Sequence, residues 1–386
     1  MPSATSLSKA QVLFGPQDLR LIPRELSEPL ADEVQIAVRS TTLCGSDVHY
    51  YTHFANGDIL VREPLSQGHE AAGEIVSLGS EVEKSGVLKV GDRVAIEAGI
   101  PCGECEICED GRYNLCDNMR FRSSAVSFPH FQGTLQERLN HPAKWCHLLP
   151  GTISYDDGAL LEPLSVAVHA VRKARLSSKS SCLILGAGAV GLLVAAVART
   201  VGCCDIAVAD IARNRLEFAK KHGFASETST ILAKRGSGPE EKLQIAREVA
   251  ASLLEVRSNA HKSSGKYHVT FECTGVESCV QTAIYSTRAG GNVVLVGMGS
   301  PVQTLPMSVV GNREVDLLGV WRYANTYPEA MKIMQASEDS SAGIPNIRKL
   351  ITHKFKGLET VPDAFGLAAK TTDDDGNLVI KVVINN

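Results

Sequence analysis

Along residues 33–40, EVQIAVRS, apolar and polar positions alternate with the two-residue period of a strand. Other parts of residues 1–40 alternate in the same way. Residues 68–98 mix glycine with β-branched runs, GEIVSLG and then GDRVAIEAG, an all-β texture with tight turns. From about residue 158 the period changes. GALLEPLSVAVHAVRKA predicts a helix, SCLILGAG a buried strand, the apolar run after it a long helix, and DIAVAD a second strand. RLEFAKKHG predicts a helix closed by glycine. YHVTFECTG and GNVVLVGMG repeat the strand-then-glycine texture. Strands alternating with helices mean a parallel sheet with helices on its faces, so the expected class is α/β with a β-rich region ahead of it. Residues 228–266 are polar and charged and predict a surface helix flanked by mobile loops.

Length and composition narrow this picture. A chain of 386 residues predicts two or three domains. Its 39 basic and 43 acidic residues give a formal charge of −4, which predicts neither a nucleic-acid partner nor an anionic membrane surface. The opening MPSATSLSKAQ has no apolar core of a signal peptide. The uncharged run CLILGAGAVGLLVAAVA, residues 182–198, is slightly short for a membrane span, and its glycines point elsewhere. Eleven cysteines, an odd number without a secretory signal, favour free thiols in a reducing cytoplasm over a disulfide framework.

GAGAVG, residues 186–191, sits between a predicted strand and a predicted helix. Gly186 permits the tight turn, Gly188 lets the backbone approach a pyrophosphate, and Gly191 allows close helix–strand packing. The helix N-terminus offers amide groups and a positive dipole to phosphates. Asp210 follows at the end of the next strand, where a carboxylate accepts hydrogen bonds from an adenosine ribose and repels a 2′-phosphate. That pattern points to NAD over NADP, with Arg213 and Arg215 close enough to soften the preference.

CGECEICEDGRYNLC spaces Cys102, Cys105, Cys108 and Cys116 as C-x2-C-x2-C-x7-C, which suits a closed tetrahedral structural zinc. An iron–sulfur cluster and disulfides are the other uses of four such thiols. A second set is scattered: Cys44 in LCGSDVHYY, His69 and Glu70 in QGHEAAG, and Glu162 in LLEPLSVAVHA. A catalytic zinc keeps three protein ligands and an open position. Taken singly each of these residues has a bland reading; beside a dinucleotide fingerprint they form a candidate metal site.

GHEAAGEIVSLGSEV, LCGSDVHYY, LEPLSVAVHA, FECTGVES, VLVGMGS and REVDLLGVWRYANTYPEA together make the chain resemble the zinc-dependent medium-chain dehydrogenases. The resemblance is stronger to their sorbitol (polyol) dehydrogenases, most of all those of fungal sorbitol and xylitol type, and it covers nearly the whole chain. It implies a GroES-like β-rich catalytic domain over residues 1–163, carrying a structural-zinc lobe at about 99–117. A Rossmann doubly wound parallel-sheet domain binding NAD would occupy 164–319, with a return to the catalytic domain over 320–386. Cys44, His69 and Glu70 match the catalytic zinc ligands. Glu162 matches an acid that reaches the metal directly or through its bound water.

Asp47 matches a residue that braces the ligand histidine. Ser46 and His49 match a proton relay, and Tyr50, Glu162, Arg322 and Tyr323 match polyol contacts. Gly186, Gly188, Val190, Gly191, Asp210, Arg215, Val296, Gly297, Met298, Val320, Trp321 and Arg322 match coenzyme contacts. Trp321 and Ala324 depart from the residues common at their positions. The resemblance implies one catalytic and one structural Zn2+ per chain, a homotetramer, and oxidation of a polyol such as D-sorbitol or xylitol to its 2-ketose. Another alcohol substrate such as L-arabinitol or threonine, a zinc-free quinone reductase, and a coenzyme-binding regulator are the rival readings.

Overall fold

The structure is a computed structural model and describes residues 6–234, 236–261 and 265–386. The first residues of MPSATSLSKAQ, Arg235, and residues 262–264 ahead of YHVTFE lie outside the described residues. The chain divides into two compact units. One holds residues 1–163, 324–335 and 348–386, and the other holds 164–323 and 336–347.

The first unit is built on an antiparallel-rich sheet of seven strands among the described residues. Its central strand, Glu33–Thr42, pairs with Glu70–Leu78 on one side and with Arg138–Pro142 and Lys381–Asn385 on the other. EVQIAVRS does alternate, but nearly the whole strand is buried rather than one face of it. Val34, Ile36 and Val38 join an apolar cluster with Ile75, Val94 and Ile96. The polar positions are buried because each finds a partner: Gln35 Nε2 donates to Asn140 Oδ1 at 3.3 Å, Ser40 Oγ to Asp156 Oδ1 at 2.7 Å, and Thr42 Oγ1 to Glu70. A hydrogen-bonded hydroxyl or amide avoids the cost of burying a lone polar group.

LCGSDVHYY folds as the helix Gly45–His53 with Cys44 as its N-cap. Asp47 closes the cap, its Oδ2 accepting from the Cys44 amide at 3.1 Å. Residues 158–174, expected as one helix, form two, Tyr155–Ala159 and Leu161–Ala174. Ser154 caps the first through the Asp157 amide at 3.2 Å. Pro163 lies in the first turn of the second, where its missing N–H costs nothing.

The second unit is a six-stranded parallel sheet in the order Glu227–Thr230, Asp205–Asp210, Ser181–Leu185, Tyr267–Glu272, Thr287–Leu295, Asp316–Gly319. Chain order reverses between Ser181–Leu185 and Tyr267–Glu272, and in such sheets ligands bind outside the strand ends at that point. The run 182–198 is accordingly a buried strand and the helix Ala189–Thr200. Among the described residues no helix is long and apolar enough to cross a membrane. The polar segment 228–266 contains the helix Pro239–His261, whose Ala246, Ala250 and Leu253 are buried, so it is amphipathic rather than wholly exposed.

Candidate active site

The helix Gly45–His53 and the strand Glu70–Leu78 bring three of the expected ligands together. One ligand atom each from Cys44, His69 and Glu70 lies within 4.8 Å of the others. A thiolate, an imidazole and a carboxylate are the donor set zinc accepts at bonds of about 2.0–2.3 Å, and their spacing fits one ion between them. Glu162, 4% exposed at the start of the helix Leu161–Ala174, lies near enough for its charge to act on Lys381.

Polar groups brace each ligand. Asp47 is fully buried; its Oδ1 accepts from the Gly68 amide at 3.1 Å and lies 3.4 Å from His69 Nδ1. Burial alone would push the Asp47 carboxyl up, but His69 and the amides of Cys44 and Gly68 outweigh it and hold its pKa below the usual value. Burial likewise disfavours charge on His69, yet Asp47 and Cys44 beside it raise its pKa well above that of an ordinary histidine. A proton therefore competes with a metal for this ring. Glu70 faces a buried cation: Lys381 Nζ reaches both carboxylate oxygens and also donates to the Leu43 carbonyl at 2.9 Å. Lys381 is 4% exposed, and Glu70, Cys44 and Glu162 keep it charged against the pull of burial.

Ser46 is half-buried and His49 exposed on the same helix, three residues apart and so on one face. Burial and the neighbouring His53 lower the His49 pKa. Tyr50 is placed differently from a purely substrate-facing residue. Its ring packs with Leu13, Val61, Leu65 and Ala125, and its hydroxyl accepts from the Ala125 amide at 3.3 Å.

In the lobe, the sulfurs of Cys102, Cys105, Cys108 and Cys116 all lie within 4.8 Å of one another, and those of Cys102 and Cys105 each stand 3.5–3.9 Å from those of Cys108 and Cys116. A tetrahedron with metal–sulfur bonds of about 2.3 Å needs sulfurs about 3.8 Å apart, and a disulfide needs about 2.05 Å. The four thiols fit a metal and not two disulfides.

In the second unit the glycine loop has the expected geometry. Gly186 has a φ of 104°, and a Cβ on Gly191 would fall 1.9 Å from the Gly186 carbonyl oxygen. A methyl group on Gly188 would meet nothing nearer than Arg215 Nη1 at 3.9 Å, so that face stays open to a ligand. Asp210 does more than the fingerprint requires. Its Oδ2 accepts from the Ala187 amide at 2.6 Å and its Oδ1 from the Ala212 amide at 2.7 Å, tying the loop to the second strand. Arg213 points outward and pairs with Glu217 at 3.2 Å. Val190 is half-buried at the start of the helix. Val296 and Gly297 both donate to the Glu272 carbonyl at 2.9 Å, and Met298 beyond them is exposed. Val320 continues the edge, donating to Leu295 at 3.0 Å, and Arg322, at a φ of 51°, stacks 4.6 Å over Trp321. Tyr323 is buried in this same unit.

The sequence did not single out Lys381, Thr42, Ser123 or the buried Glu272. Glu272 lies in the quoted FECTG and holds the amides of Thr274 and Gly275. The others carry no spacing signal.

Two family models match the chain. The alcohol dehydrogenase GroES-like domain covers residues 30–151, and the zinc-binding dehydrogenase domain covers 189–336. Sorbitol dehydrogenase of Bos taurus is 38% identical over 96% of this chain and 95% of that protein. L-arabinitol 4-dehydrogenase of Aureobasidium melanogenum is 39% identical over 92% of this chain and 87% of that protein. Among solved structures, 2R,3R-butanediol dehydrogenase of Bacillus subtilis superposes with a TM-score of 0.78 at 26% identity, covering 98% of this chain and 99% of that one. L-idonate 5-dehydrogenase of Escherichia coli, at 24% identity and a TM-score of 0.83 over the full length of both chains, shares the fold. The chain belongs to the zinc-dependent medium-chain dehydrogenases, on their polyol dehydrogenase branch.

Proposed function

We propose that the protein oxidises a polyol, D-sorbitol or xylitol, to the 2-ketose with NAD as hydride acceptor. The observation that carries this reading is the convergence of Cys44, His69 and Glu70 within 4.8 Å. Held there, zinc would supply a Lewis acid that polarises a substrate hydroxyl. The chain's own residues do the rest. Asp47 orients His69, Ser46 receives the hydroxyl proton, and His49, with its lowered pKa, passes it to solvent rather than retaining it. Glu162 is the second acceptor within the unit and a hydrogen-bond partner for a further hydroxyl. Tyr50, Arg322 and Tyr323 are proposed as the remaining polyol contacts. The Gly186–Gly191 loop receives the pyrophosphate, and Asp210 favours an unphosphorylated ribose. Val190, Arg215, Val296 to Met298, and Val320 to Arg322 line the coenzyme. The four-cysteine lobe takes the second zinc. We place the protein in the cytoplasm as a homotetramer; the eleven free cysteines suit a reducing compartment.

L-Arabinitol oxidation at C4 is the second reading, supported by the 39% identity to an L-arabinitol 4-dehydrogenase. Initial rates of NAD and NADP reduction with sorbitol, xylitol, L-arabinitol, ribitol and ethanol, before and after chelation, test both. Polyol-dependent rates should vanish with the metal. Ethanol should be poorer by on the order of 10⁴-fold, because it leaves the site's polar groups unpaired. Ethanol turnover equal to that on sorbitol, or a faster rate with NADP, defeats the proposal. An L-arabinitol rate well above the sorbitol rate selects the second reading.

A further inference from the structure

Ser123 lies 54 residues from His69 in sequence and belongs to none of the family segments above, yet its hydroxyl sits between two groups of the candidate catalytic site. Its Oγ donates to Asp47 Oδ1 at 3.2 Å and lies 2.8 Å from His69 Nδ1. The direct His69–Asp47 separation is longer, 3.4 Å. Ser123 is buried and adopts a φ of 60°, a left-handed conformation uncommon for a residue other than glycine. The flanking chain enforces that conformation. The Ser123 amide donates to the Phe131 carbonyl at 2.9 Å. The neighbouring Arg122 guanidinium is fully engaged, by the Gln132 carbonyl at 2.9 Å, the Asn140 carbonyl at 2.6 Å and His141 Nδ1 at 3.1 Å.

We propose that Ser123 is a positioning residue that joins His69 to Asp47 and fixes which ring nitrogen faces the metal. A hydroxyl has one proton. Ser123 gives it to Asp47, so its oxygen accepts, and His69 Nδ1 must be the donor. The ring is then held with its proton on Nδ1 and the Nε2 lone pair available to a metal. A backbone twisted into the left-handed region carries a hydroxyl where glycine would carry nothing.

The inference rests on the metal-site reading above, and the test separates the two. Zinc content and zinc retention against a competing chelator are measured on the full-length holoenzyme for wild type, Ser123→Gly and Ser123→Thr. The urea midpoint of the first unit is followed separately by Trp145 fluorescence, in chelated protein carrying Trp321→Phe, so that metal binding does not enter it. Glycine removes the hydroxyl and relaxes the backbone, so the midpoint should hold or rise while zinc affinity at one of two sites falls by roughly 10–100-fold. Threonine keeps the hydroxyl but is β-branched at positive φ, so the midpoint should fall while zinc affinity stays within about threefold of wild type. Affinity that follows the midpoint instead of the hydroxyl overturns the proposal, as does a glycine variant that retains zinc like wild type. A Cys44→Ser variant that holds as much zinc as wild type would instead refute the catalytic metal site itself.

Discussion

Replacing Lys381 by methionine keeps its length and removes its charge. It leaves the Glu70 carboxylate, 1% exposed, with the Thr42 hydroxyl as its hydrogen-bond donor among the described residues. A buried carboxylate stripped of its cation costs about 3–5 kcal/mol, against a total stability of about 5–15 kcal/mol for a domain. Metal binding would offset part of that cost, so the loss should be largest in chelated protein. With two units, one global unfolding midpoint is not a defined quantity. The two tryptophans solve this, since Trp145 belongs to the first unit and Trp321 to the second. In a Trp321→Phe background, fluorescence on urea titration follows the first unit alone. Lys381→Met should lower its stability by about 3–5 kcal/mol without metal. The double variant Lys381→Met with Glu70→Leu should recover most of the loss, because it removes both charges. A single-variant loss under about 1 kcal/mol, or a double-variant loss equal to the sum of the singles, would show that the pair is no more than a solvated ion pair.

Cys105→Ser should lose one zinc per chain by elemental analysis and leave polyol-independent coenzyme binding in place; unchanged zinc content refutes the lobe assignment. Acid titration offers a further check at Asp373, whose pKa is held at about 2 by Asn377 and, beyond it, His353. A folded pKa below the unfolded value of about 3.9 means stability that is present above that value and lost as pH falls toward 2. Wild type should therefore exceed Asp373→Asn in stability at neutral pH, with the difference shrinking between about pH 4 and pH 2; a difference independent of pH contradicts it.

What was legible in the sequence was whatever is local or carries fixed spacing. The glycine loop and Asp210 occupy one strand–helix–strand unit, and the four lobe cysteines lie within 15 residues from Cys102 to Cys116. The helix at residues 158–174 was divided in the structure because Ser154 and Asp157 start a separate turn ahead of Leu161. Burial on both faces of Glu33–Thr42 was hidden because polar residues there are satisfied by Asn140, Asp156 and Glu70, all distant in sequence. Lys381 and Ser123 were illegible for the same reason. A lone lysine in an apolar strand and a serine in a polar loop have no pattern of their own, and only the closed sheet brings them to Glu70 and His69.

The pairing of Lys381 with Glu70 spans 311 residues, and the strand that carries it completes a sheet begun by residues 33–42. At about 5–20 residues per second, a ribosome needs roughly 15–60 s to make the intervening chain. Before that interval ends the second unit's sheet, drawn from residues 181–319, has all its strands, while the first unit still lacks its last one. The nascent Glu70 carboxylate must stay solvated or find a substitute cation until Lys381 arrives. Assembly of the metal site is thus timed by synthesis, and free zinc encountered early would meet Cys44 and His69 before the lysine that competes for Glu70 exists.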